Sequence, residues 1–189
     1  MNFSLFGRLS VVLVAVLSSV VCGATYAADT EPYFGLKGGF LTSDSSGFGD
    51  ALNIGGFAGA NVVDLRGHSI PGTISVEGEL TLPLVKGDVN STFPGSGNFV
   101  GKWNAWTLGG FGVYRGLESN NFYFKGKAGF VHSNTTVSAP GFPGNSGAGS
   151  STDFAFGVGG GYRFNRRNSI EVEVTIMDRL TFMSAGYTF

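Results

Sequence analysis

Cysteine is almost absent from this chain: one residue in 189, Cys22. No intramolecular disulfide can form, so stability must come from another source. Charge is scarce as well, at 13% of residues, and the formal net charge is −1 with a pI near 6.1. That balance gives no support for nucleic-acid binding, which needs a basic surface to meet phosphates. Histidine is limited to two positions, His68 and His132, which restricts neutral-pH acid–base chemistry. No His/Cys/carboxylate cluster has metal-ligand spacing, and no cofactor motif is evident. Long apolar runs are missing too. The one candidate, Val11–Val21, falls short of the about 20 residues that a spanning helix needs. If the chain enters a membrane, it does so as strands.

What the first residues contain is an export signal. Arg8 precedes the apolar run, and small residues at Thr25 and Ala27 mark a cleavage site after Ala27. Cys22 does not make a lipoprotein signal, because Ser19-Val20-Val21 before it lacks the Leu and the small final residue required. Residues 1–27 are therefore expected to be removed, leaving 28–189 as one domain without cysteine. A closed sheet in lipid would stabilise such a chain, since closure leaves no unpaired strand edge.

The remaining sequence alternates with a period of two. In the last nine residues Met183, Ala185, Tyr187 and Phe189 share one face, and Ser184, Gly186 and Thr188 share the other. Seven earlier segments do the same: 32–41, 52–62, 73–84, 102–114, one opening at Phe122, one over 153–163, and 170–176. The segment 102–114 is ambiguous, because Trp106, Leu108 and Tyr114 compete with Ala105, Phe111 and Val113 for the apolar face. The connections 42–51, 85–101 and 139–151 are long and polar, while 64–68, 116–121 and 165–168 are turns. Long loops alternating with short turns, and a strand ending on an aromatic, are features of an outer-membrane barrel with both termini in the periplasm. The expected fold class is all-β: an eight-stranded antiparallel transmembrane β-barrel after a cleaved signal peptide.

With the apolar face turned to lipid, the ionisable residues turn inward. Lys37, Lys125, Lys127 and Arg163 oppose Glu77, Glu79, Glu171 and Glu173, four charges against four. Facing hydrocarbon, each would cost about 2–4 kcal/mol near the midplane. Inside a lumen of this strand number, which side chains just fill, they can neutralise one another across second-neighbour strands. Inward glycines of the first, second and sixth strands make room for them. The alternative use of such charges, a selectivity lining or proton relay, would require an open path. Aromatic residues gather near strand ends (Tyr33, Phe34, Trp103, Trp106, Phe122–Phe124, Phe130, Phe154, Phe156, Tyr162, Phe182 and Tyr187) and are expected in interfacial girdles.

Few motifs suggest catalysis. His68 lies in a polar turn without a partner. His132 stands beside Ser133, which must project to the opposite face, and no acidic residue is evident on the outward face of the sixth strand to orient the imidazole. The runs Gly109–Gly112 and Gly157–Gly161 open no helix and are not phosphate loops. The sequons at Asn90 and Asn134 are chance matches in a bacterial barrel.

Over Phe156–Phe164, Ile170–Glu173 and Ser184–Phe189 the chain resembles the small outer-membrane barrel family that includes the OmpA transmembrane domain, OmpX and NspA. The resemblance implies insertion by the barrel-assembly machinery, reading Tyr187 and Phe189, into the Gram-negative outer membrane. It further implies a filled, salt-bridged interior and a non-enzymatic role in envelope integrity, adhesion or surface interaction. Expected partners are membrane lipid, lipopolysaccharide and an external ligand on loops 42–51, 85–101 and 139–151; the expected state is a monomer. With the chain stopping at Phe189, no peptidoglycan-binding domain is expected. Two alternatives share the strand pattern. A lipid A deacylase of the PagL type is similar in size but carries its His and Ser two apart. A soluble lipocalin-like carrier would be inverted, with the charges outside, and alternation alone does not tell inside from outside.

Overall fold

The computed structural model describes residues 31–65, 68–93, 97–138, 147–165 and 167–189. The expected signal peptide, residues 1–27, lies outside them, as do 139–146 of the third long loop. Among the described residues nine strands are formed: β1 Pro32–Ser43, β2 Ala51–Asp64, β3 Gly72–Val85, β4 Gly87–Phe93, β5 Gly97–Ser119, β6 Phe122–Ser138, β7 Gly147–Arg163, β8 Ser169–Ile176 and β9 Leu180–Thr188. They follow the order β3-β2-β1-β9-β8-β7-β6-β5, and an additional β3–β5 pairing closes the ring. Every pairing is antiparallel. The result is an eight-stranded barrel, with β4 as an extra strand outside the ring.

The faces follow the alternation. Phe34, Leu36, Phe40, Val76, Phe130, Phe156 and Val172 are exposed on the outer wall, while Lys37, Glu77, Lys125 and Glu171 are buried inside. A lipocalin-like inversion is thereby overturned. The fourth barrel strand resolves its ambiguity in the same way: Ala105, Phe111 and Val113 are buried, and Leu108 is exposed with Trp106 and Tyr114 on the same face.

Several boundaries differ from the sequence expectation. Residues 87–93 and 97–101 are strand, not irregular loop: β4 pairs with β5 from Gly87↔Trp103 to Phe93↔Gly97, and 94–96 lie outside the described residues. The first loop then pairs with β4 through Gly49 N donating to Asp88 O (2.7 Å) and Asn90 N donating to Gly47 O (2.7 Å). Backbone groups of β4 and of 97–101 thus find partners within the outer rim, which Gly/Ser/Asn composition does not reveal. Residues 147–151 belong to β7 instead of a loop. At the periplasmic end, 116–119 continues β5 through a bulge, and the turn itself is only Asn120-Asn121. Both asparagines have positive φ, 51° and 70°, the pairing that a tight two-residue hairpin needs.

The aromatic expectation also needs correction. Tyr33, Trp103, Tyr123 and Phe182 occupy the lumen, because their strands' parity puts them in phase with the inward charges. The remaining rings form clusters on the outer wall. Phe34 stacks on Phe189 (5.4 Å), Phe189 meets Tyr187 (5.1 Å), and Phe122, Tyr162 and Phe164 form a second chain at the periplasmic rim.

Inward glycines are the space for the interior rings. A Cβ added at Gly161 would lie 2.3 Å from the Tyr123 ring, whereas one at Gly110 on the outer wall meets nothing within 4 Å. Gly161→Val is expected to destabilise by about 1–3 kcal/mol through overpacking. Gly110→Val is expected to be neutral or slightly stabilising. Urea unfolding in lipid vesicles checks the pair, and equal midpoints would mean that Tyr123 has room elsewhere.

Candidate functional site

Among the described residues, ionisable side chains concentrate in the lumen. Five strands that mostly do not touch along their backbones send charges to its centre. Lys37 of β1 reaches Glu79 of β3 (2.6 Å) and Glu173 of β8 (2.7 Å). Lys127 of β6 meets the same two carboxylates at 2.5 and 2.7 Å. Lys125 contacts Glu171 (2.7 Å) and Glu173 (2.9 Å), and more distantly Glu77 (3.5 Å). Arg115 of β5 bridges Glu77 and Glu171, at 2.8 Å each. Four cations thus face four carboxylates, and each of these side chains is at most 8% exposed.

Arg115 replaces Arg163 in this set. Arg163 has inward parity but ends β7 at the periplasmic rim, where it pairs with the half-exposed Glu118 (2.5 Å). Near water it has no need of a buried partner. Arg115 escaped the sequence reading because the strand was ended at Tyr114 and its register left open. Exchanging one arginine for the other leaves the charge sum unchanged, so counting charges could not reveal the error. A sharper signal was available: once Phe111 and Val113 are placed inside, Arg115 follows by parity.

Two tyrosines extend the network toward the periplasm. Tyr33 accepts from Arg115 Nη1 (2.8 Å) and donates to Glu77 (3.0 Å). Tyr123 donates to Glu171 (2.6 Å) and lies 3.0 Å from Ser169 Oγ. Lumen rings also face the cations, with Lys127 Nζ 4.3 Å from the Phe111 centroid and Arg115 4.7 Å from that of Tyr33.

Toward the outside, a hydroxyl and amide layer follows. Thr81 and Thr107 share a bond (2.7 Å), and Asn53 donates to Thr81 and to Ala105 O. Above it Leu41, Trp103, Val131, Met177, Leu180 and Phe182 pack into an apolar plug. A void of about 10 Å³ lies between network and plug, room for about one water. A continuous hydrated path is incompatible with this filling.

His132 and Ser133 lie on opposite faces. His132 is on the outer wall, its Nδ1 2.9 Å from Thr152 Oγ1 and its ring 5.6 Å from Trp106. Ser133 points inward, 3.1 Å from Ser151 Oγ. No nucleophile–base pair is formed there.

A closed antiparallel barrel with an apolar outer wall and a charged interior is a membrane architecture. A family model described as an outer membrane protein beta-barrel domain matches residues 13–187. The chain belongs to that family. Its place is the Gram-negative outer membrane. Among solved structures it is similar to Neisserial surface protein A, with TM-score 0.58 and 12% identity, covering 85% of this chain and 97% of that one. It is also similar to OprG from Pseudomonas aeruginosa, with TM-score 0.57 and 14% identity over the same shares. At such identities the likeness concerns the fold. No curated protein sequence matches.

For this outer-membrane barrel the two arginines make a discriminating pair. Arg115→Met leaves Glu77 and Glu171 to share Lys125, with one buried negative charge uncompensated, and is expected to cost about 3–5 kcal/mol. Arg163→Met removes an exposed pair and is expected to cost under about 1 kcal/mol. Unfolding midpoints in vesicles check this, and a reversed order would return Arg163 to the network.

Proposed function

We propose that this protein is a non-enzymatic barrel that keeps its lumen closed and acts through its lipid face and outer rim, in envelope integrity, adhesion or surface interaction. The observation that carries the reading is the doubly filled lumen, with an ion-pair network toward the periplasm and an apolar plug toward the outside. A barrel filled in this way offers solutes no route, so its contribution lies in what surrounds it. Membrane lipid and lipopolysaccharide are its partners along the wall. The first loop, the region 85–101 that carries β4, and the region 139–151 meet any external ligand. The barrel-assembly machinery reads Tyr187 and Phe189 during insertion, and the inserted protein is a monomer. Catalysis has little support, since His132 and Ser133 are separated by the wall itself.

Planar-bilayer recording of refolded residues 28–189 tests the closed lumen. The expected result is an absence of stable conductance steps; large, sustained steps would overturn it. Mass spectrometry of lipid A from expressing cells tests the non-enzymatic part. An unchanged acylation pattern is expected, and loss or gain of an acyl chain would establish an enzyme.

A further inference from the structure

Above the apolar plug the barrel opens into an outer vestibule of about 280 Å³. Its floor is the upper surface of the plug, with Trp103, Val131, Met177 and Leu180 joined by Phe48 of the first loop. One wall is the inner face of β6, carrying Ser133 and Thr135. The same wall continues onto β7, paired with β6 through Ser133↔Ser151, where β7 has lost its other neighbour: β8 pairs with β7 only from Phe156↔Ile176 inward. Among the described residues, β7 pairs over 147–155 with β6 alone, and alternate backbone N–H and C=O groups face away from β6.

The charge at this mouth is uneven. Asp153 is half-buried, and its Oδ2 accepts from Ser151 Oγ at 2.6 Å. Among the described residues no cation pairs with it. Arg179 also borders the vestibule, but its side chain is 85% exposed and sits against Asp178 (3.4 Å). An apolar floor therefore lies beneath hydroxyls, the outer edge of β7 and one carboxylate that has no counter-ion among the described residues. An engineered cavity of about 150 Å³ holds benzene, so the vestibule can take one ring with a short arm.

We infer that the vestibule binds a small cationic amphiphile, with its apolar body on the Phe48–Trp103–Leu180 floor and its ammonium group at Asp153. The carboxylate selects charge, and the floor selects an apolar ring or short chain over a hydrophilic amine. Entry is from the outside, so the site requires no passage through the closed lumen.

The chain holds two tryptophans, one in this floor and one on the lipid wall. Trp106→Phe leaves Trp103 as the only indole, and Trp103→Phe leaves Trp106 as a reporter of partition into lipid. Each variant is refolded into phosphatidylcholine nanodiscs and titrated with 2-phenylethylamine. Saturable change in Trp103 emission is expected, with only a linear response from Trp106. Phenylacetate should bind at least about tenfold more weakly than the amine, because a negative charge replaces a positive one beside the Asp153 carboxylate. Asp153→Asn in the Trp106→Phe background should weaken the amine about tenfold and leave 2-phenylethanol unchanged. Ser133→Phe, which fills the space, should abolish the response. Val137→Phe serves the same purpose if Ser133→Phe fails the boiled-versus-unboiled gel shift. A linear Trp103 response, phenylacetate binding as well as the amine, or amine binding indifferent to Asp153→Asn would each overturn the assignment.

Discussion

Charge inside a membrane must be neutralised where it stands, and that requirement organises the interior of this barrel. Backbone hydrogen bonds join each strand only to its neighbours. Most of the ion pairs join strands that are not neighbours: β1 to β3 and β8, β6 to β3 and β8, and β5 to β8; Arg115–Glu77 links the adjacent β5 and β3. Glu173 alone receives Lys37, Lys125 and Lys127. Removing one member would leave carboxylates desolvated with no water to take over, which is why such pairs are costly to break even where their net contribution to stability is modest. The network is also a register device. A one-residue slip would carry every charge of that strand onto the lipid wall.

Glycine and aromatic rings complement one another around this centre. Beside the long charged side chains stand Phe57, Tyr33 and Tyr123, each lying over a backbone position with no side chain: Gly35, Gly59 and Gly161. An eight-stranded lumen is too narrow for large residues at every inward position. Alternating a ring with a bare backbone fills the section without overpacking. The same rings present their faces to Lys125 and Arg115, so the space-fillers also help solvate the cations. Aromatics on the outer wall have the different task of gripping the interface.

The faces of the strands were legible in the sequence because lipid enforces strict alternation, and Lys125, Lys127, Glu171 and Glu173 can lie on only one side of it. Features that lipid does not police were harder to read. Strand β4 and the outer ends of β5 to β7 stand beyond the hydrocarbon, where Gly, Ser and Asn serve equally well in a hairpin or a loop. Tyr33, Trp103, Tyr123 and Phe182 looked like girdle residues because an aromatic near a strand end suits either face; only parity, counted from a secure inward charge, separates them. Arg115 was hidden by the glycines around it, which blur alternation and suggest a turn at 116 where the strand in fact bulges.

The outer rim has consequences for recognition. Loop sequences rich in Gly and Ser are expected to be floppy, and a floppy surface loses affinity to the entropy of ordering itself. Here the first loop is tied to β4 by backbone bonds and to the last loop by Asp44 N donating to Arg179 O (3.1 Å), while Trp103 donates to Gly49 O (2.6 Å) from below. Much of the rim is therefore ordered by folding before any ligand arrives. The apolar plug supports it from inside, so Trp103 both closes the lumen and anchors the first loop. Sealing the barrel and shaping its outer surface are consequences of the same packing, and a substitution that loosens the plug is felt at the rim.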